Sequence, residues 1–239
     1  MMWLNPPDKL TLNDAEAHIW RVDLEHDEYF SSSLLKLLSP DENYRARKFR
    51  FVKDSRNFIV VRGILRSLIS YYLEINPAEI RFEYSKFGKP SIADNNSLQF
   101  NISHSRNMAL FGFTKKFNIG VDVEFVNPNI EMRDIAAKFF SRNEILNLIA
   151  LPAEQQTLGF FNCWTRKEAF IKAVGEGLSF PLDQFEVSLE PDKPAKLLAT
   201  DWDPKAVSKW SMYSLEAGTG FVGSLVIEGF VERVKFYNW

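Results

Sequence analysis

The sequence predicts an α+β fold made of two similar α/β subdomains, a pseudo-twofold pair meeting near residue 118. Three observations carry that expectation. Two long helical stretches, about 54–74 and 153–174, stand in corresponding places along the chain. Short runs of strand type follow each of them, separated by turn-forming residues. Helical and strand segments before residue 118 also come in an order resembling that after it, with no low-complexity linker between. The expected division is therefore 1–118 and 119–239.

Composition sets the outer limits. A chain of 239 residues that is 46% hydrophobic can bury one or two cores and needs neither metal nor disulfides to fold. A formal charge of −2 with a pI near 6.0 argues against a dedicated nucleic-acid binder, which would normally be basic on one face. The single cysteine, Cys163, sits beside Trp164 in an apolar helical run, where a buried thiol in a reducing compartment is the expected state. The N-terminus has no basic segment followed by an apolar stretch, and no run approaches the ~18 apolar residues of a membrane span. A cytoplasmic protein without membrane contact is expected.

The elements follow in order. Residues 17–24 alternate as a half-buried strand does, and helical signals come after them. Ser39-Pro40-Asp41-Glu42 starts a helix over about 40–50: serine caps, proline fits the first turn, and the acids suit the positive end of the dipole. From 54 to about 74, Phe58, Val61, Ile64, Leu65, Leu68, Ile69 and Tyr72 recur at spacings of three and four, a helix with one buried stripe that Pro77 should close. Strands are expected at 80–84, 98–102, 108–114 and 119–125, with Phe87-Gly88-Lys89-Pro90 as one of the turns. Beyond Pro128 come a helix over 131–140, a capped turn at Ser141-Arg142-Asn143-Glu144, and the long helix over 153–174. Strands resume at 185–189, 209–216, 220–228 and 231–237.

Chemistry concentrates in two segments, Gly120-Val121-Asp122-Val123-Glu124 and Trp164-Thr165-Arg166-Lys167-Glu168-Ala169-Phe170-Ile171-Lys172. Strand side chains alternate faces, so Asp122 and Glu124 point the same way, while Glu168 and Lys172 share one helix face. Three carboxylates are suitable oxygen donors for a divalent cation such as Mg²⁺. An acid pair on a strand is often only a solvated face, and Glu168 with Lys172 could be only an intrahelical ion pair. Both, however, lie in apolar surroundings, where charge needs a partner. A third element, Phe100-Asn101-Ile102-Ser103-His104-Ser105, runs off a strand end; its histidine could equally satisfy local backbone groups. A fourth is the basic stretch Arg45, Arg47, Lys48, Arg50, Lys53, Arg56, Arg62 and Arg66, whose guanidinium forks are natural phosphate receptors if they do more than solvate helix faces.

Taken together these segments resemble the signature of the 4′-phosphopantetheinyl transferases, of the larger two-subdomain class, and are similar to cyanobacterial members. The resemblance implies an active site in the cleft between the subdomains. It also implies transfer of the phosphopantetheine arm of coenzyme A to a serine of an apo acyl, peptidyl or polyketide carrier protein, releasing adenosine 3′,5′-bisphosphate. Mg²⁺ on Asp122, Glu124 and Glu168, catalytic roles for Glu168, Lys172 and His104, and coenzyme contacts from Arg45, Arg56, Arg62, Lys89, Ser103, His104 and Lys172 follow from it. The first subdomain would hold the coenzyme, the second the metal and the catalytic helix. One departure is Glu42, where some relatives carry lysine, which bears on the 3′-phosphate contacts. A carrier could dock at Phe139-Phe140-Ser141-Arg142 with Met132 and Arg133, or both phenylalanines could be core. Rival expectations are a Mg²⁺-dependent nucleotide phosphohydrolase and a non-catalytic carrier-binding module. A monomer is expected, since one chain supplies both subdomains.

Overall fold

The computed structural model describes residues 1–25, 28–94 and 97–239. The chain opens with β1 (Glu16–Asp23) and a short helix α1 (Glu28–Leu35). Helix α2 (Pro40–Arg47) starts as expected, with Ser39 and Glu42 closing a reciprocal capping box. Helix α3 (Val52–Leu73) buries Val60, Val61, Ile64, Leu65, Leu68 and Ile69, the stripe read from the sequence. It ends at Glu74, which adopts a left-handed conformation (φ 54°) and donates its N–H to Ser70 O at 2.8 Å. Pro77 does not close the helix but stands beyond it, opening a 3₁₀ turn over Pro77–Glu79.

Next come β2 (Phe82–Tyr84), β3 (Pro90–Ile92), β4 (Gln99–Ser105), β5 (Met108–Thr114) and β6 (Ile119–Phe125). The expected turn at 87–90 is present, with Gly88 at φ 81°, but it joins β2 to a strand, β3, that three residues were too few to announce. The second half contains α4 (Met132–Phe139), α5 (Arg142–Ala150) and α6 (Ala153–Val174), then β7 (Phe185–Val187), β8 (Leu197–Thr200), β9 (Trp210–Leu215), β10 (Phe221–Glu228) and β11 (Arg233–Asn238). Ser141 and Glu144 cap α5, and Gly175 at φ 89° ends α6.

The strands form two main sheets of order β11-β1-β5-β4 and β6-β10-β9, with small hairpins β2-β3 and β7-β8. The architecture is mixed α and β, with a 22-residue helix in each half, α3 and α6. β11 comes from the C-terminal half yet pairs in parallel with β1. A shared apolar core of Ile19, Leu110, Val121, Val123, Leu225 and Ile227 lies between the two sheets.

Edge strands β4 and β6 lie side by side without being hydrogen-bonded neighbours in one sheet. Side chains join them instead. Val121 N–H donates to Asn101 Oδ1 at 2.9 Å, Ser103 Oγ donates to Asp122 at 2.7 Å, and Ser105 Oγ donates to Glu124 at 2.8 Å. Alternate residues of β4 thus meet Val121, Asp122 and Glu124 of β6, and this seam carries two of the acids singled out above.

Candidate active site

A cavity of about 490 Å³ opens over the seam, lined by Arg45, Phe58, Arg62, Lys89 and His104 from the first half and Glu168 and Lys172 from the second. Helix α6 supplies the last two. It rests so closely on β6 that a side chain at Gly120 would stand 1.9 Å from Ala169 O. Only glycine allows this approach, which brings Lys172 over Asp122.

Lys172 Nζ lies 2.6 Å from Asp122 Oδ1 and 3.1 Å from Ser103 Oγ. Asp122 is buried, and its other oxygen, Oδ2, has no hydrogen-bond partner among the described residues. Burial pushes the Glu124 carboxyl up, opposed by the Ser105 hydrogen bond and reinforced by the charge of Asp122. Burial likewise pushes Glu168 up, with Lys172 lowering it and Asp122 and Glu124 raising it. The three acids therefore feel one another. They are nevertheless not drawn into a ready ligand set: among the described residues no three His, Cys, Asp or Glu side chains are gathered as a metal site. The Lys172 ammonium takes part of the place expected of a cation. The donor chemistry still fits a hard divalent ion, since one ammonium faces three acids and the Asp122 oxygen it does not touch has no partner among the described residues.

The other expected residues divide. His104 opens on the cavity, its imidazole pushed down by the protein packed around it and by the Lys172 charge, so it is neutral near pH 7. Arg45 lies over the Phe58 ring at 5.2 Å. Arg62 is held by Glu42 at 3.3 Å and leaves Nη1 buried without a hydrogen-bond partner among the described residues. Glu42 also takes Arg66 at 2.7 Å, so the acid found where some relatives carry lysine anchors two arginines. Arg56 is not among the residues lining the cavity. Lys89 lines it, but its ammonium donates to Lys172 O at 2.6 Å and Ala173 O at 3.3 Å, and burial pushes it down to about 8. It caps the end of α6 rather than facing an open phosphate site. Ser103 is similarly occupied by Asp122 and Lys172.

Much of the second motif is structural. Lys167 is fully buried, donating to Glu144 at 2.8 Å and to Leu182 O and Phe185 O at 2.6 Å each. Arg166 donates to Ser188 Oγ at 3.1 Å and Ser214 Oγ at 3.0 Å. Phe140 stacks on Phe160 at 5.4 Å and is core, whereas Phe139 meets Trp164 edge-on at 5.6 Å and is only partly buried. Cys163 is buried, which pushes its thiol well up. The overlooked site residue is Ser105, whose signal was its place two residues after Ser103 on the same face of β4.

Among the described residues no helix is long and apolar enough to cross a membrane. The sequence profile of the 4′-phosphopantetheinyl transferase superfamily matches residues 118–227, and that of the 4′-phosphopantetheinyl transferase N-terminal region matches 25–112. The chain is 37% identical to the 4′-phosphopantetheinyl transferase HetI of Nostoc sp. over 240 residues, covering 99% of this chain and 98% of that one. It is 37% identical over 168 residues to the 4′-phosphopantetheinyl transferase Sfp of Bacillus subtilis, covering 70% and 72%. A putative 4′-phosphopantetheinyl transferase of Synechocystis sp. is 36% identical over 150 residues, covering 62% and 61%.

Proposed function

The chain belongs to the 4′-phosphopantetheinyl transferase superfamily, and from that premise we propose that it moves the phosphopantetheine arm of coenzyme A onto a serine of an apo-carrier protein. The observation that carries this reading is the buried, unpartnered Oδ2 of Asp122 beneath a cavity holding Glu168, Lys172 and His104. The carrier serine oxygen forms a bond to the β-phosphorus of the coenzyme's pyrophosphate. The bond to the departing adenosine 3′,5′-bisphosphate breaks in the same step.

Glu168 is the candidate base for the serine proton; in the metal-free site burial and then the neighbouring acids raise its affinity for protons, and a bound cation would lower it again. Lys172, paired with Asp122, offsets the negative charge that develops on the pyrophosphate, and neutral His104 can donate to a phosphate oxygen. Asp122, Glu124 and Glu168 would hold Mg²⁺, which when bound neutralises the pyrophosphate and orients it. Arg45 and the free Nη1 of Arg62 are the coenzyme-binding cations best supported by position. In this reading residues 1–118 hold the coenzyme and 119–239 carry the metal ligands and catalytic helix, as a pseudo-twofold pair. Both walls of the cavity come from one chain, so a monomer suffices. A buried thiol is consistent with a cytoplasmic, reducing setting.

The test is the intact mass of an apo-acyl carrier protein incubated with this protein, coenzyme A and Mg²⁺. A gain of about 340 Da that chelator abolishes is expected for metal-dependent phosphoryl transfer. No gain with carriers from several pathways would overturn the reading. Glu168→Gln should lower turnover by about 10²–10⁴-fold with an unchanged circular dichroism spectrum; wild-type turnover in that variant would remove Glu168 from its role.

A further inference from the structure

The junction of α2 and α3 is positively charged and apolar at once, with no use inside the fold. Arg47, Lys48, Arg50 and Lys53 are all exposed, and none forms a salt bridge among the described residues. The buried acid of this region, Glu42, goes to Arg62 and Arg66 instead. Among these cations stand Phe49, Phe51 and Val52, the last two 60% and 79% exposed. Phe51 occupies the N-cap of α3 and caps nothing; an Asn, Asp, Ser or Thr there would stabilise the helix by about 1 kcal/mol. Four cations flank the N-terminus of a 22-residue helix, against the one acid of its first turn, Asp54; the dipole there is already positive, so like charge is unfavourable. The arrangement gathers net positive potential around apolar side chains. That combination suits a negatively charged partner with an apolar centre.

The patch adjoins the cavity. The Phe49 ring lies 5.5 Å from that of Phe58, and Phe58, with Arg45 above it, lines the cavity wall. A protein bound on the patch would stand beside the cavity's mouth. We propose that Arg50, Phe51, Val52 and Lys53 form the docking surface for the carrier protein, a negatively charged face of which meets the cations while an apolar centre covers Phe51 and Val52. This rests on the transfer reading given above. It assigns carrier recognition to the first half of the chain, away from the partly buried Phe139 and the buried Phe140.

The experiment compares wild type with Arg50→Glu/Lys53→Glu and, separately, Phe51→Ser, using a purified apo-acyl carrier protein. KM for the carrier and for coenzyme A are measured, together with calorimetric affinity for a carrier whose acceptor serine is alanine. The expected result is a rise of about tenfold or more in carrier KM and Kd, with coenzyme KM and kcat within about twofold of wild type. Unchanged carrier KM and Kd would overturn the proposal. So would an equal rise in coenzyme KM, which would assign the cations to the coenzyme's phosphates. Unchanged carrier binding with patch-dependent sedimentation on anionic phospholipid vesicles would make the patch a membrane face and also overturn it. Wild-type protein that binds the alanine carrier through the patch but transfers nothing would uphold docking and sink the transfer reading. Neither binding nor transfer would sink both.

Discussion

The hydroxyl of Ser105 fixes the direction of Glu124: it donates to the carboxylate at 2.8 Å and accepts the Phe125 N–H at 3.2 Å. Removing such a support typically lowers metal affinity or activity by about 10–100-fold. Ser105→Ala should therefore raise the Mg²⁺ concentration needed for half-maximal turnover by at least about tenfold, with Ser105→Thr restoring much of it; equal Mg²⁺ dependence in wild type and alanine variant would exclude the role. At this scale the sequence distinguished residue types better than their uses. Glu168 and Lys172 were legible because they share a helix face over a cavity. Lys167, one position away, points into the core to satisfy Glu144 and two carbonyls, and a motif alone does not say which of its cations is buried. Lys89 and Ser103 show a related effect, since each has its polar atom engaged by an element distant in sequence, which no local pattern announces.

Helix α6 and strand β6 act as one element because nothing separates their backbones at Gly120. Gly120→Ala would place a carbon 1.9 Å from Ala169 O and 2.5 Å from Ala173 N, and neither backbone atom can rotate away. A loss of at least about 2 kcal/mol of stability is expected, read as a lower urea midpoint with turnover reduced as α6 is pushed off the seam; a midpoint equal to wild type would show that the helix can shift without cost. Both long helices were legible in their periodicity, and the bounds of β5 and β6 in their apolar runs. Strands β3 and β8, of three and four residues, were not, since so short a segment carries no period. The end of α3 was read within a residue, but its cause was not, because Glu74 stops the helix through its backbone conformation before Pro77 is reached.

The whole molecule rests on polar groups sealed inside its first sheet. His18 is fully buried, its Nδ1 lies 2.9 Å from the Tyr72 hydroxyl, and its Nε2 has no hydrogen-bond partner among the described residues. Burial, helped by Lys235, lowers its pKa from 6.5 to about 4. The unfolded chain therefore takes up a proton between those values that the folded chain refuses. Stability is full above pH ~6.5 and falls toward pH ~4, by at most roughly 3 kcal/mol from this group. Glu16, held low by Lys235 and Asn13 against the opposing effect of burial, adds a loss of the same sign at lower pH. Thermal denaturation should show a falling Tm from pH 7 to 5 that His18→Gln flattens; parallel profiles would assign the acid sensitivity elsewhere. The mixed α and β make-up was visible in the order of the elements, but the pairing of β11 with β1 was not, because strand pairing between distant segments leaves no local pattern. That pairing reaches into the protein's synthesis: Arg21 and Asn238, hydrogen-bonded at 2.7 Å, lie 217 residues apart. While the chain emerges from the ribosome, β1 keeps an open flank until β11 is made. The nascent protein is thus exposed to mispairing through the synthesis of every element between those two strands, and chaperone demand should persist until β11 has emerged.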